Sequence, residues 1–246
     1  MSACSIIDQL RGGLIVSCQA YPGEPLRDAE VMRRMAEAAV IGGAVGIRAQ
    51  GLDDIRLIHQ AIEVPLIGLW KIGTDGVFIT PTLEHALAVV SAGAEIVAID
   101  GTRRQRPDGL TLAETIEAIH NRTDALVMAD VGDVEDGLAS ADAGADLISS
   151  TLAGYTDSRP RIDGPDIALV RELASTIDLP VLAEGRIHTT DQARACLQAG
   201  AYAVVVGTAI THPTSITRWF ASALHADSTA EPTADPTAGS RPDPTS

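Results

Sequence analysis

The sequence predicts an α/β chain folded as a (β/α)8 TIM barrel of the phosphate-binding type, with a disordered C-terminal tail. Three observations carry this expectation. A phrase recurs: "GGAVGIRA", "AGAEIVAID", "AGADLISST" and "AGAYAVVVG" each place Gly-Ala before an apolar, β-like run, with Gly43, Gly93, Gly144 and Gly200 spaced 50, 51 and 56 residues apart. Further strand-like runs fall between these phrases, so each repeat holds two strands and two helices, a quarter of an eightfold barrel. Finally, no glycine-rich dinucleotide fingerprint follows the first strand, where the chain reads "VSCQAYPGEP"; that lowers the odds of a doubly wound open sheet, the runner-up.

Taken in order, "GLIVSCQ" (13–19) is a first strand and 28–42 a first helix, capped by Asp28. "GGAVGIRA" supplies the second strand and 52–62 the second helix. "PLIGLWK" (65–71) and 82–92, capped by Thr82, follow. "AGAEIVAID" is the fourth strand, and Thr111 caps a helix over 111–121. "ALVMAD" (125–130), then 133–143 capped by Asp133, then "AGADLISST" and 164–177 make the next pairs. "PVLAEG" (180–185), 190–199 capped by Thr190, "AGAYAVVVG" and 213–224 complete the set. Ser, Thr and Asp at these starts can accept the unpaired N–H groups of a first helical turn. The recurrent glycines belong at helix C-termini, where positive φ is cheap for a residue without Cβ.

The chain has 246 residues and a formal net charge of −15. It is 46% apolar but only 3% aromatic, so the core must be aliphatic, as buried parallel strands require. The acidity disfavours nucleic acid as a partner. Cys4, Cys18 and Cys196 are odd in number and lack CxxC spacing, so neither a disulfide framework nor a zinc site follows. No apolar run is long enough to span a bilayer, and "MSACSIIDQLRGG" lacks signal-peptide regions, so no membrane association and a cytoplasmic location are expected. The domain organisation is one barrel domain over 1–225 and a low-complexity tail over 226–246. The tail, built from Pro, Thr, Ala, Ser and Asp, lacks the large apolar residues that would offset its ordering entropy.

Active sites of this fold lie at the C-terminal ends of the strands. Those ends read Gln19, Arg48, Lys71, Asp100, Asp130, Thr151, Glu184 and Gly207. Six of the eight are charged or amide-bearing, a pattern that points to an enzyme. The loops after strands 7 and 8 carry Gly185, Arg186, Gly207 and Thr208, the place where this fold commonly cradles a phosphate. Lys71 and Glu184 each close an apolar strand and are the candidate reacting groups, as proton-transfer base, Schiff-base nucleophile or carboxylate partner. Gln19, Arg48, Asp130 and Thr151 are candidate substrate contacts. No HxH or HExxH motif is present, so metal-independent chemistry is expected; His59, His85 and His120 fall on helices, whereas His188 and His212 lie in loops near the site. On residue types alone aldolase, isomerase and epimerase remain open, as does a non-catalytic sugar-phosphate-binding barrel.

The phrases "GGLIVSCQAYPGEP", "GGAVGIRAQG", "PLIGLWK", "VFITPT", "AIDGTRRQRPDG", "MADVG", "SSTLAGYT", "GPD", "LAEGRI" and "GAYAVVVGTAIT" occur in that order, from about Gly12 to Leu224. Together they resemble the N-acetylmannosamine-6-phosphate 2-epimerase (N-acylglucosamine-6-phosphate 2-epimerase) family. The resemblance implies a phosphate-binding TIM barrel with no metal or organic cofactor, acting on a small amino-sugar phosphate. Its reaction would interconvert N-acetylmannosamine 6-phosphate and N-acetylglucosamine 6-phosphate in sialic-acid and amino-sugar catabolism. It further implies Lys71 as acid/base at C2, Glu184 as its partner, Gln19, Arg48 and Asp130 along the pocket, and Gly185, Arg186, Gly207 and Thr208 around the phosphate. A homodimer is carried as an open expectation. Two stretches depart from the family pattern: "KIGTDGVFITPT" is shorter than "KRDxxGSxVxITPT" and lacks its arginine, and Thr211-His212-Pro213 stands where "ITRP" is usual.

Overall fold

A computed structural model describes residues 3–226. Among them, eight parallel strands close into a barrel in sequence order, β1 pairing with both β2 and β8. The strands are β1 (Leu14–Cys18), β2 (Gly46–Gln50), β3 (Leu66–Leu69), β4 (Ile96–Asp100), β5 (Leu126–Asp130), β6 (Leu147–Ser149), β7 (Val181–Glu184) and β8 (Ala203–Val206). Around them run α1 (Ala3–Leu10), α2 (Ala29–Ile41), α3 (Leu52–His59), α4 (Leu83–Ser91), α5 (Leu112–Arg122), α6 (Val134–Asp142), α7 (Ile167–Thr176), α8 (Thr190–Gln198) and the short α9 (Thr208–Thr211). This unit extends to His212; the helix α10 (Pro213–Ala226) forms a unit of its own. The expected disordered tail lies, beyond Ala226, outside the described residues.

Local chemistry accounts for the element ends. Asp28, Thr82, Thr111 and Asp133 cap their helices by accepting backbone N–H groups, as the sequence predicts. Thr190 does not: the cap is Thr189, whose reciprocal bonds with Gln192 form a capping box and start α8 one residue earlier. Gly43, Gly93, Gly144 and Gly200 all have positive φ, between 94° and 117°, one residue past a helix C-cap. "PLIGLWK" is strand only as far as Leu69, so Lys71 lies two residues beyond the ladder.

Period-2 alternation sorts each strand between two cores. Ile15, Ile67, Leu69, Ile96, Leu126, Met128, Leu147, Leu182, Ala203 and Val205 fill the barrel interior. Val16, Cys18, Ile47, Ala49, Val97, Ile99, Val127, Ala129 and Ile148 pack outward under the helices. Counting on by two from the inward set reaches Gln19, Lys71, Asp100, Asp130, Thr151, Glu184 and Gly207; Arg48 shares that parity on β2. The polar strand ends therefore continue the inward face.

The sequence pattern shows no element before the first strand at Gly13, where the structure has α1. Its Ile6 and Leu10 belong to the barrel-interior cluster, and Leu10 is fully buried. A Cβ on Gly46 would come within 2.8 Å of Leu10 Cδ2, so Gly46 leaves room for that leucine at the N-terminal mouth of the barrel. Eight residues with three large aliphatics are too short a pattern to signal a helix before the barrel that it closes is known.

Candidate active site

A cavity of about 490 Å³ opens at the C-terminal ends of the strands, within the range of small-molecule sites. Gln19, Arg48, Lys71, Thr151, Glu184 and Gly207 all line it. Gly185, Arg186 and Thr208 line it as well, so the two candidate groups, reacting and phosphate-binding, share one space.

Arg48 is the hub. It is 1% exposed, and its fork grips Asp130 side-on, Nη1 to Oδ1 at 3.0 Å and Nη2 to Oδ2 at 2.6 Å. Nη1 also donates to Glu184 Oε2 at 2.6 Å. Burial alone would depress the guanidinium, but Asp130 and Glu184 more than reverse that and raise its affinity for the proton. Thr151 Oγ lies 2.7 Å from Asp130 Oδ1 and 3.0 Å from Glu184 Oε2. One hydroxyl proton cannot serve both carboxylates, so Thr151 donates to only one of them at a time. Burial pushes the Glu184 carboxyl up, Arg48 opposes this, and Asp130 adds to it.

Asp130 does not stand on the cavity wall. It is fully buried behind Arg48, which corrects its expected placement along the pocket. The geometric reason is that β5 ends at Asp130, and the long side chain of Arg48 reaches across the barrel between that carboxylate and the open space. Asp100 is likewise fully buried and bonds Thr102 and Arg104, away from the cavity.

Lys71 Nζ donates to Gln19 Oε1 at 2.8 Å. The Gln19 amide is turned by its own donation to Ser17 Oγ at 2.8 Å, which leaves its oxygen toward the lysine. Tyr21 presents its ring 5.5 Å from Nζ. Two opposing effects act on this amine. Burial, then the repulsion of Arg48, lower its pKa; Glu184 and Asp130 raise it; the balance brings it down to about 8. Lys71 is also the only lysine of the chain, against seventeen arginines. Motif reading passes over that signal, although it singles out the residue directly.

On the other side, Gly185 adopts φ +112° and Arg186 φ +55°. The Arg186 guanidinium donates to the carbonyls of Gly164 and Ala153, at 2.9 and 2.8 Å, and stacks over Tyr155. Much of its side chain therefore braces the loop. A Cβ on Gly207 would sit 3.2 Å from Ser17 Cβ, so glycine lets the β8 end close on β1. His212 Nε2 meets the carbonyl of Gln19 at 2.6 Å; a carbonyl only accepts, so this nitrogen carries the proton and Nδ1 alone remains for other partners. Two of the chain's three tyrosines, Tyr21 and Tyr155, are half exposed on this cavity, and sequence reasoning assigned neither. In a chain so poor in aromatics, their position beside "CQA" and "LAG" at strand ends was the available signal.

Comparison with known proteins places this geometry. A protein-family model described as "Putative N-acetylmannosamine-6-phosphate epimerase" matches residues 32–226. The chain belongs to this epimerase family. The epimerase is 59% identical over 221 residues to a protein of Cutibacterium acnes named "Putative N-acetylmannosamine-6-phosphate 2-epimerase", covering 89% of this chain and 96% of that one. It is 50% identical over 218 residues to a protein of the same name from Caldanaerobacter subterraneus, covering 87% and 92%. Among solved structures, the N-acetylmannosamine-6-phosphate 2-epimerase of Clostridium perfringens superposes with TM-score 0.85 at 40% identity, over 88% of this epimerase and 95% of its relative. The protein is thus an isomerase on a TIM barrel.

Proposed function

We propose that this epimerase interconverts N-acetylmannosamine 6-phosphate and N-acetylglucosamine 6-phosphate by proton transfer at C2 of the open-chain sugar, in amino-sugar and sialic-acid catabolism. The observation that carries the reading is Lys71: a lone lysine on the cavity, its amine brought to about 8, facing the same space as Glu184. The names of the relatives support the substrate.

The hydrogen on C2 is weakly acidic because the adjacent C1 aldehyde can take the charge as an enolate. Removing it requires a positioned base, and the oxygen needs a cation or donor. The Lys71 amine takes the C2 proton, and the resulting ammonium stabilises the enolate; once the enolate has turned in the cavity, the ammonium returns a proton to the opposite face of C2, which gives the 2-epimer and restores the amine. An ordinary lysine, with its pKa near 10.4, would be almost wholly protonated at neutral pH and could not begin this step. Glu184 binds and polarises the sugar through the oxygen not engaged by Arg48, while Gln19 holds the lysine. Arg48 and Thr151 serve as substrate contacts at the wall, and Asp130 acts through Arg48. Gly185, Arg186, Gly207 and Thr208 form the phosphate side, through backbone N–H groups and the remaining guanidinium edge. The work is done as a cytoplasmic enzyme on a small molecule.

Proton NMR of N-acetylmannosamine 6-phosphate with the enzyme in D₂O tests this. The 2-epimer should appear with deuterium at C2. An unchanged spectrum, with neither exchange nor a new sugar, would overturn the proposal.

A further inference from the structure

The phrase "RRQRPDG" after β4 has no part in the reaction as described, and neither does Thr80. Both nonetheless converge on the backbone that carries Lys71. The β3 ladder stops short of this lysine: β2 pairs with β3 as far as Leu69, and β4 only as far as Gly68. Partners for Trp70, Lys71 and Ile72 come instead from 78–80. Thr80 N donates to Trp70 O at 2.8 Å, Trp70 N donates to Thr80 Oγ at 3.0 Å, Ile72 N donates to Phe78 O at 3.0 Å, and Lys71 bridges Ile79.

Thr80 is itself held under strain. It is fully buried with φ +45°, a conformation that a β-branched residue takes only when its surroundings dictate it. Its hydroxyl donates to Ala98 O at 2.7 Å, and its carbonyl accepts Arg106 Nη2 at 2.8 Å. Arg106 Nη1 donates to Asp100 O at 2.9 Å, and Asp100 N returns to Ile79 O at 3.0 Å. Arg106 is 4% exposed, and its Nε has no partner among the described residues. A buried guanidinium would ordinarily be given a carboxylate, yet the Asp100 side chain goes to Thr102 and Arg104. Arg106 instead ties two main-chain carbonyls together. Neither it nor Thr80 lines the cavity.

We propose that Arg106 and Thr80 are positioning residues that brace the backbone at Lys71 and so hold its amine in the buried place beside Gln19. The inference rests on the reading of Lys71 as the acid/base. The groups facing that amine are Gln19, Tyr21, Arg48 and Glu184, with Asp130 acting on it from behind Arg48; the brace bonds none of their side chains.

The single lysine allows a direct test, since ¹⁵Nζ-lysine labelling yields one side-chain signal. Its titration is followed without substrate in the wild type, Arg106→Gln, Thr80→Val and Thr80→Ser. In Arg106→Gln and Thr80→Val the midpoint should move up from about 8 toward the ordinary lysine value, as the freed amine meets water. Their kcat should fall about 10²-fold, the effect of a misplacement near 1 Å, with KM within about threefold of the wild type. Thr80→Ser keeps the hydroxyl and should keep both midpoint and kcat. A wild-type midpoint in folded Arg106→Gln and Thr80→Val would overturn the brace, as would Thr80→Ser behaving like Thr80→Val. If Arg106→Gln fails to fold, the Thr80 pair decides alone. Lys71→Met separates the two claims: undiminished turnover there defeats the acid/base reading, while the titration still judges the brace.

Discussion

Arg48 acts on both candidate reacting groups, Lys71 and Glu184. It lies 82 residues from Asp130 and 136 from Glu184 in sequence, yet bonds both. Its repulsion of Lys71 is the second cause, after burial, of that amine's lowered pKa. Replacement by methionine therefore has two consequences with definite signs. Two buried carboxylates lose their cation, which costs about 3–5 kcal/mol of stability and should lower the melting temperature. The Lys71 amine loses a repulsion while Glu184 and Asp130 still attract it, so its pKa rises. With the free amine as base, wild-type activity increases as pH rises through about 8. In Arg48→Met the same rise should be displaced to higher pH, measured as the basic shift of the kcat/KM profile. A profile with an unmoved midpoint would show that Arg48 does not tune the lysine.

At the scale of elements, the barrel separates what holds it together from what reacts. The strand ends carry the site, and α1 closes the opposite mouth through Ile6 and Leu10. Leu10→Ala removes a fully buried side chain and should destabilise the protein by about 2–5 kcal/mol. Because activity in this fold resides at the C-terminal face, kcat and KM should stay at wild-type values at temperatures where the variant is folded. Denaturant melts and steady-state kinetics on one preparation check both halves; a kinetic defect in the folded variant would mean that the two mouths are coupled. The same division explains what the sequence made legible. Inward parity runs unbroken along each strand, so counting by two from the aliphatic positions finds Gln19, Lys71, Thr151, Glu184 and Gly207 without coordinates. It also finds Asp100 and Asp130, which parity cannot tell apart from wall residues. Which inward carboxylate ends up buried depends on a side chain arriving from another strand, as Arg48 does, and pairings so distant leave no local pattern. The positive φ of Thr80 and the helix α1 were illegible for the same reason, each being imposed by a neighbour far along the chain.

For the molecule as a whole, the most informative number is one. Of the eighteen lysine and arginine side chains, seventeen are arginines that keep their charge at any accessible pH. Among these side chains only Lys71 can offer a neutral nitrogen, and the fold brings its pKa to about 8, so near that pH about half of the molecules hold a free amine. An ordinary lysine would be neutral in well under about one per cent of molecules there. Amine-directed chemistry should therefore be both selective and rapid. Reductive methylation at pH 8 is expected to modify one side chain, identified as Lys71 by peptide mass spectrometry, alongside the chain's α-amine. Activity should fall in step with that one event, because a dimethylated nitrogen still titrates but no longer fits beside Gln19 Oε1, 2.8 Å away. Saturating amino-sugar phosphate should slow the modification, since it would occupy the same cavity. Full turnover by enzyme carrying a modified Lys71 would remove the lysine from the reaction.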